Sequence, residues 1–377
     1  MRILSLGTGG FIGAHLSARL LEQGHQVVGV DNHTDKIQDI LENPLLTYHQ
    51  ADIRDPGFDL EGLVRDSDLV IDLIAYANPG IYVKLPRQVF ELNFTENLKI
   101  AEACVEHQKR LIQFSSCEVY GKTMAKVLPD KIKDPEDPAL ATFSEDATDC
   151  IMGPIGKHRW IYACAKQLLE RVLHAYGLED RLNYTIIRPF NFIGPKIDYL
   201  PEDTDGVPRV FSYFMEALLK GTEMQLVDGG HQRRCYTYIE DAIDCIMLIV
   251  ENKGGVCDRQ IFNVGSPRNE VSIRRMAELM LRIYSRKFMK PGQKLPRIVE
   301  VSGEDFYGPG YEDSDRRIPD TSKADSLLGC APRYGLEELL ELSMRYYIKD
   351  YAEDVREWRE ARAGQYIPSR SRPILPD

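Results

Sequence analysis

The sequence predicts an α/β chain: a Rossmann-type, doubly wound parallel sheet followed by a smaller C-terminal α/β lobe. Three observations carry this. A glycine-marked turn joins a strand to a helix at the very start, in GTGGFIG. Short uninterrupted apolar runs then alternate with amphipathic stretches to about residue 190, as strands buried on both faces alternate with helices. From about residue 195 the elements shorten and proline and glycine become denser.

The elements follow in order. Ile3 to Leu6 reads as a short buried strand, Phe11 to Gln23 as a helix closed by Gly24, and Gln26 to Val30 as the second strand. Leu46 to Gln50 suggests a third strand. DLVIDLI, Asp68 to Ile74, is a fourth, continuous and buried. Gln88 to Val105 has helical spacing, and Lys109 to Phe114 is the next strand. Residues 122–156, rich in Pro, Asp and Lys, break the rhythm and read as an exposed insert. Trp160 to Tyr176 is helical, and Tyr184 to Arg188 is a strand closed by Pro189. In the second half, helices are expected near 208–220, 238–251, 271–285 and 335–349, with strands at Met224–Val227 and Gln260–Val264. The expected division is residues 1–194, 195–350 and a charged tail over 351–377 with mobile last residues.

Composition excludes several classes. The 377 residues are 43% hydrophobic, enough for a large core, and carry a net charge of −11. Such an acidic chain is not built for nucleic acid or an anionic membrane surface. No run of about 18 apolar residues would span a bilayer. The eight cysteines form no C-x-x-C pair and no His/Cys cluster with zinc spacing, so no metal is expected. With a strand at the first residues and no leader, the expectation is a cytoplasmic protein with reduced thiols.

Gly7, Gly10 and Gly13 lie between strand and helix, the context a dinucleotide turn requires. The first allows the tight turn, the second lets backbone approach a pyrophosphate, and the third lets helix and strand pack closely. Phe11 and Ile12 open the helix at the same place. Asp31 ends the second strand, where a carboxylate accepts ribose hydroxyls and repels a 2′-phosphate. NAD is therefore expected over NADP. Asp52 and Ile53, after the third strand, are candidates to flank the adenine; an ordinary loop acid is the other reading of Asp52.

The opposite end of the sheet carries chemistry. The strand RLIQF runs into Ser115-Ser116-Cys117-Glu118. Tyr162 and Lys166, in YACAK, share one helical face four residues apart. A tyrosine serves as a base near pH 7 only after about 4 kcal/mol of differential stabilisation. One cation at about 4 Å in an effective dielectric near 20 supplies roughly that. The lysine one turn away is thus the expected cause of a lowered tyrosine.

Together, the glycine turn, FSSCEVYG and YACAK resemble the extended short-chain dehydrogenase/reductase superfamily. KRLIQFSSCEVYGKT, GKHRWIYACAKQLLERV, IIRPFNFIGP, FNVGSPRNEVSIRRMAELM and FYGPGYEDSDRRIPD are similar to its decarboxylating members. These are the UDP-apiose/UDP-xylose synthases and, slightly less closely, the UDP-glucuronate decarboxylases of the lipid A 4-amino-arabinose pathway. The resemblance implies that Ser116 and Tyr162 meet a sugar C4 hydroxyl, and that Glu118 and Arg317 are catalytic. It places Arg159 beside the sugar acid. Tyr82, Asn191, Arg209, Arg234 and Tyr311 fall where relatives hold the rest of UDP-glucuronate. Four of them have a plainer reading: a backbone tie at Asn191, loop packing at Tyr82, surface charge at Arg209 and Arg234. Arg316 is a one-place alternative to Arg317.

The implied reaction is NAD-dependent oxidation at C4, decarboxylation, retro-aldol rearrangement and reduction to UDP-apiose and/or UDP-xylose. Cys117 is the apiose-type choice, a thiol able to exchange protons if a cation lowers it; a buried structural cysteine is the alternative. The chain departs from that pattern at Ala77, where apiose-forming enzymes carry a second cysteine. A decarboxylase that stops at the 4-keto pentose and releases NADH, and a 4-epimerase, are the alternatives. The superfamily also implies a homodimer built on the helices of residues 88–105 and 160–176.

Overall fold

A computed structural model describes residues 1–200, 209–291, 293–309 and 311–355. Its centre is the expected parallel sheet. The first strands are β1 (Arg2–Leu6), β2 (Gln26–Asp31), β3 (Leu46–Gln50), β4 (Leu69–Asp72) and β5 (Arg110–Phe114). From one edge the order is Gln260–Val264, Tyr184–Pro189, β5, β4, β1, β2, β3, all parallel. The chain reverses direction across the sheet between β1 and β4, so a crevice opens beyond their C-terminal ends. Gln260–Val264 belongs to this sheet, although the sequence placed it with the second half.

Helix α1 (Phe11–Glu22) packs Leu16, Leu20 and Leu21 against the sheet. Gly24, at φ 79°, turns the chain into β2. Next come α2 (Leu60–Arg65), α3 (Pro79–Lys84) and α4 (Pro86–Phe90). The helix expected over 88–105 is not uniform. A π-helical turn, Glu91–Glu96, separates α4 from α5 (Asn97–Glu106). The wider turn goes with Asn93 and Asn97 facing inward, where Asn93 Nδ2 donates to Val89 O at 2.9 Å.

The insert after β5 is not simply exposed. It contains α6 (Met124–Val127) and a short strand, β6 (Thr142–Phe143). β6 is the edge of a second sheet, ordered Glu270–Ser272, Arg233–Cys235, Arg316–Pro319, β6. Its Asp- and Lys-rich part, 130–137, does face solvent, but Ala141, Phe143 and Glu145 are buried. Backbone bonds from Ile318 to Ala141 and from Asp320 to Phe143 (2.8 and 2.9 Å) tie the insert down. Composition averaged over the segment hid that local alternation. Helix α7 (Ile161–Leu178) and strand β7 (Tyr184–Pro189) return the chain to the main sheet.

The thiol expectation is corrected at one place. Cys245 and Cys330 form a disulfide, with Cα atoms 5.3 Å apart across 85 residues. Tertiary packing of the 239–251 helix against the segment after residue 328 brings them together, and no spacing rule could pair them. The other six cysteines are free. Among the described residues no helix is long and apolar enough to cross a membrane. The expected mobile tail lies, from residue 356 on, outside the described residues.

Candidate active site

A cavity of about 550 Å³ lies along the crevice, between the glycine turn and the second half. At one end the turn is shaped for close approach. Gly7 has φ 88°, and a Cβ on Gly13 would collide with the Gly7 carbonyl. The N-terminus of α1 has no side-chain cap, so its first-turn N–H groups are left for an anionic partner. Asp31 accepts from Gly9 N at 2.9 Å and from His33 N at 3.0 Å, which fastens the turn to the end of β2. Burial pushes its carboxyl up, against those bonds. These residues fit a dinucleotide. Asp52 is held by Arg54 at 2.6 Å, which lowers its carboxyl, and Ile53 packs into the apolar layer under α2. Neither they nor Asp31 line the cavity, whereas Phe11 and Ile12 do.

The strand-end cluster faces the same space. Ser116 caps the turn Cys117–Tyr120, accepting from Glu118 N at 3.2 Å. Ser116 and Tyr82 act on the Tyr162 phenol to lower it, and the Tyr82 and Tyr162 rings stack at 4.6 Å. The expected effect of Lys166 is not seen here. Lys166 Nζ donates to Phe114 O (3.1 Å) and Asn97 Oδ1 (3.3 Å). Burial, then the Glu118 charge, push the Tyr162 phenol up. Burial lowers Lys166 to about 8, with Asp72 and Glu170 acting against it. One turn of helix thus put the two groups on one face without aiming the ammonium at the phenol.

Opposite Tyr162 lies a charged cluster. Arg159, only 2% exposed, grips both oxygens of Glu118, reaches Asp313 at 3.3 Å and lies over the Trp160 ring. Arg234 donates to Asp313 at 2.8 Å and to Ser314 O at 2.7 Å. Arg317 is 3.4 Å from Glu118, 3.5 Å from Asp313 and 3.5 Å from Cys117 Sγ. Burial opposes charge on Glu118 and Asp313, but the surrounding guanidiniums win and hold both carboxyls below their ordinary values. Three guanidiniums face two carboxylates here, which leaves one positive charge unmatched within the cluster.

Arg316 is not part of it. It pairs with Glu270 at 2.5 Å, so Arg317 holds the cavity position. Cys117 also departs from expectation: burial pushes its thiol up despite Arg317, so the ligand-free group is a thiol, not a thiolate.

The remaining candidates gather around these. Ala77, just before α3, and Tyr82, within it, line the cavity. Asn191, at φ 42°, lines it and also ties backbone, donating to Cys235 O at 3.4 Å. Arg209 lines the cavity with its side chain 39% exposed, held by Asp198 at 2.7 Å and with its guanidinium 5.4 Å over the Phe11 ring. Tyr311 donates to Asp313 at 3.2 Å and stacks on Tyr307 at 4.2 Å. Sequence reasoning missed Asp313, Asp198 and Asn97. Asp313 lay inside EDSD, which reads as a solvated acidic run. Asn97 was a polar residue at a buried helical position, a signal that was present and unused.

The sequence matches the model of the "NAD dependent epimerase/dehydratase family" over residues 3–265. It is 42% identical to UDP-D-apiose/UDP-D-xylose synthase 1 of Arabidopsis thaliana over 366 residues, 94% of this chain and 93% of that protein. Identity to UDP-D-apiose/UDP-D-xylose synthase of Oryza sativa subsp. japonica is 41%, over 94% and 91%. Among solved structures, the PbgP3 protein from Burkholderia pseudomallei superposes with a TM-score of 0.79 at 35% identity, over 95% of this chain and 98% of that one.

Proposed function

The chain belongs to the NAD-dependent epimerase/dehydratase family, and we propose that it converts UDP-glucuronate, by oxidative decarboxylation, to UDP-apiose and/or UDP-xylose. The observation that carries this is the unmatched positive charge of the Arg159, Arg234 and Arg317 cluster facing the Tyr162–Ser116 pair. That arrangement suits a sugar bearing a carboxylate two carbons from a hydroxyl to be oxidised. A neutral sugar would leave the charge uncompensated in a buried place.

The glycine turn, Asp31 and Lys166 would hold NAD. When bound, NAD supplies acceptance of a hydride from the sugar C4 and its later return. Tyr162 takes the C4 hydroxyl proton, with Ser116 orienting that hydroxyl. The carboxylate, now β to a ketone, leaves as carbon dioxide because the electron pair passes into an enolate. Arg317 and Arg159 orient the carboxylate, since planar guanidiniums match it through paired bonds. The Cys117 thiol, kept protonated, delivers a proton to C5, and Glu118, held as a carboxylate between the guanidiniums, accepts protons in the rearrangement. Arg209, Arg234, Asn191, Tyr82 and Tyr311 hold the rest of the UDP-sugar. A homodimer through α5 and α7 completes the reading; α7 turns Leu168, 41% exposed, outward.

Incubation with UDP-glucuronate and NAD tests the proposal. Carbon dioxide and a UDP-pentose are expected, and intact UDP-glucuronate would overturn it. Ala77 favours a second outcome, in which the 4-keto pentose is released and NADH builds up one for one. The Ala77→Cys variant is expected to raise the branched pentose severalfold among products resolved by NMR. An unchanged product ratio would remove this position from the account.

A further inference from the structure

Asp72 ends β4 and is completely buried, yet nothing in the reaction above uses it. A carboxylate in such a place costs several kcal/mol unless it is paired and hydrogen-bonded. It has two donors: Ile74 N at 2.9 Å on one oxygen and Gln113 Nε2 at 2.8 Å on the other. Gln113 is its register partner on β5.

These contacts continue into a closed ring. Gln113 Nε2 also reaches Phe114 O at 3.4 Å, and Phe114 O accepts from Lys166 Nζ at 3.1 Å. Lys166 Nζ donates to Asn97 Oδ1 at 3.3 Å, and Asn97 Nδ2 donates to Ile74 O at 3.3 Å. Ile74 N then returns to Asp72. Asp72, Gln113, Asn97 and Lys166 are each no more than 1% exposed. We propose that Asp72 is a positioning residue: the buried counter-charge that keeps Lys166 an ammonium and, through this ring, fixes its Nζ against Phe114 O and Asn97.

The charges around the ring support this. Burial pushes the Asp72 carboxyl up, and Lys166, the cation that acts on it, pulls against that together with the Gln113 and Ile74 bonds. From α7, Glu170 also faces Lys166, but Arg188 of β7 holds it at 2.6 Å. From α5, the Cys104 thiol is pushed up by burial and then by Asp72, so it stays neutral. Tyr162, one turn earlier on α7, is also pushed up and neutral. Asp72 is therefore the carboxyl acting on Lys166 that no other cation claims.

The inference rests on the proposed function for its catalytic meaning, and its first test is independent of turnover. In the purified, NAD-free protein labelled with ¹³C at lysine Cε, the Lys166 resonance is assigned by its loss in Lys166→Met. A midpoint near 8 is expected in the parent, at least one pH unit lower in Asp72→Asn. An equal midpoint overturns the proposal. If Asp72→Asn does not fold, the parent labelled at the aspartate carboxyl carbon decides. Asp72 ionised at pH 7, and shifting as Lys166 deprotonates, supports the proposal; a protonated Asp72 at pH 7 overturns it. With turnover in hand, a midpoint one unit lower should make the Asp72→Asn deficit grow about sevenfold from pH 6 to pH 8.5. A deficit constant across that range marks a merely structural role, and an inactive parent would sink the proposed function without touching the titration.

Discussion

Tyr162→Phe is expected to cut carbon dioxide release from UDP-glucuronate by about 10²–10⁴-fold, the usual worth of a positioned acid–base group. NAD affinity should change little. The ring lost is replaced by a ring of the same shape, so its stack on Tyr82 survives. Only the phenol oxygen, on which Ser116 acts, disappears. The phenol is raised in the ligand-free cavity because it is buried beside the Glu118 carboxylate. A substrate that draws Arg159 and Arg317 toward its own carboxylate meets the phenol only after that balance has changed. Carbon dioxide release at the parental rate by the phenylalanine variant would remove Tyr162 from the chemistry.

Arg159→Ala is expected to destabilise the protein by about 3–5 kcal/mol, because it leaves buried carboxylates without a partner. Arg159 bonds Glu118 through two nitrogens and Asp313 through one of them. The loss should depend on pH in a definite direction. Glu118 and Asp313 are both held below their ordinary values in the fold. Their contribution is therefore complete above the unfolded carboxylate range, near pH 4, and fades as pH falls through the depressed folded values. Without Arg159 those values rise, so the acid limb of unfolding should begin at higher pH. Thermal melts from pH 3 to pH 8 measure both effects. A variant melting within a degree of the parent across that range would show that Arg234 and Arg317 suffice.

Much of this was legible in the chain. Gly7, Gly10 and Gly13 between apolar runs specified the turn, because only residues without a Cβ tolerate that backbone and that approach. Buried parallel strands read as continuous apolar runs, which placed β1, β2, β4, β5 and β7 within a residue or two. The Tyr162 and Lys166 spacing put both on one face of α7. Where the reading failed, the cause was contact between distant segments. The insert looked exposed because its composition is polar, yet β6 pairs with a strand 176 residues further on, Thr142 with Ile318. The lowered phenol was argued from helical spacing alone, while Phe114 O and Asn97 claim the ammonium.

By itself the sequence determined the sheet, the dinucleotide turn and the chemical types gathered at the end of β5, because each follows from periodicity or from what a backbone tolerates locally. Only the tertiary structure decided the charge states. It brought Arg159, Arg234 and Arg317 onto Glu118 and Asp313, kept the Cys117 thiol neutral and linked Asp72 to Lys166 through Gln113 and Phe114 O. Whether a side chain is charged depends on its burial and on neighbours that lie up to some 200 residues away, and no local pattern records them.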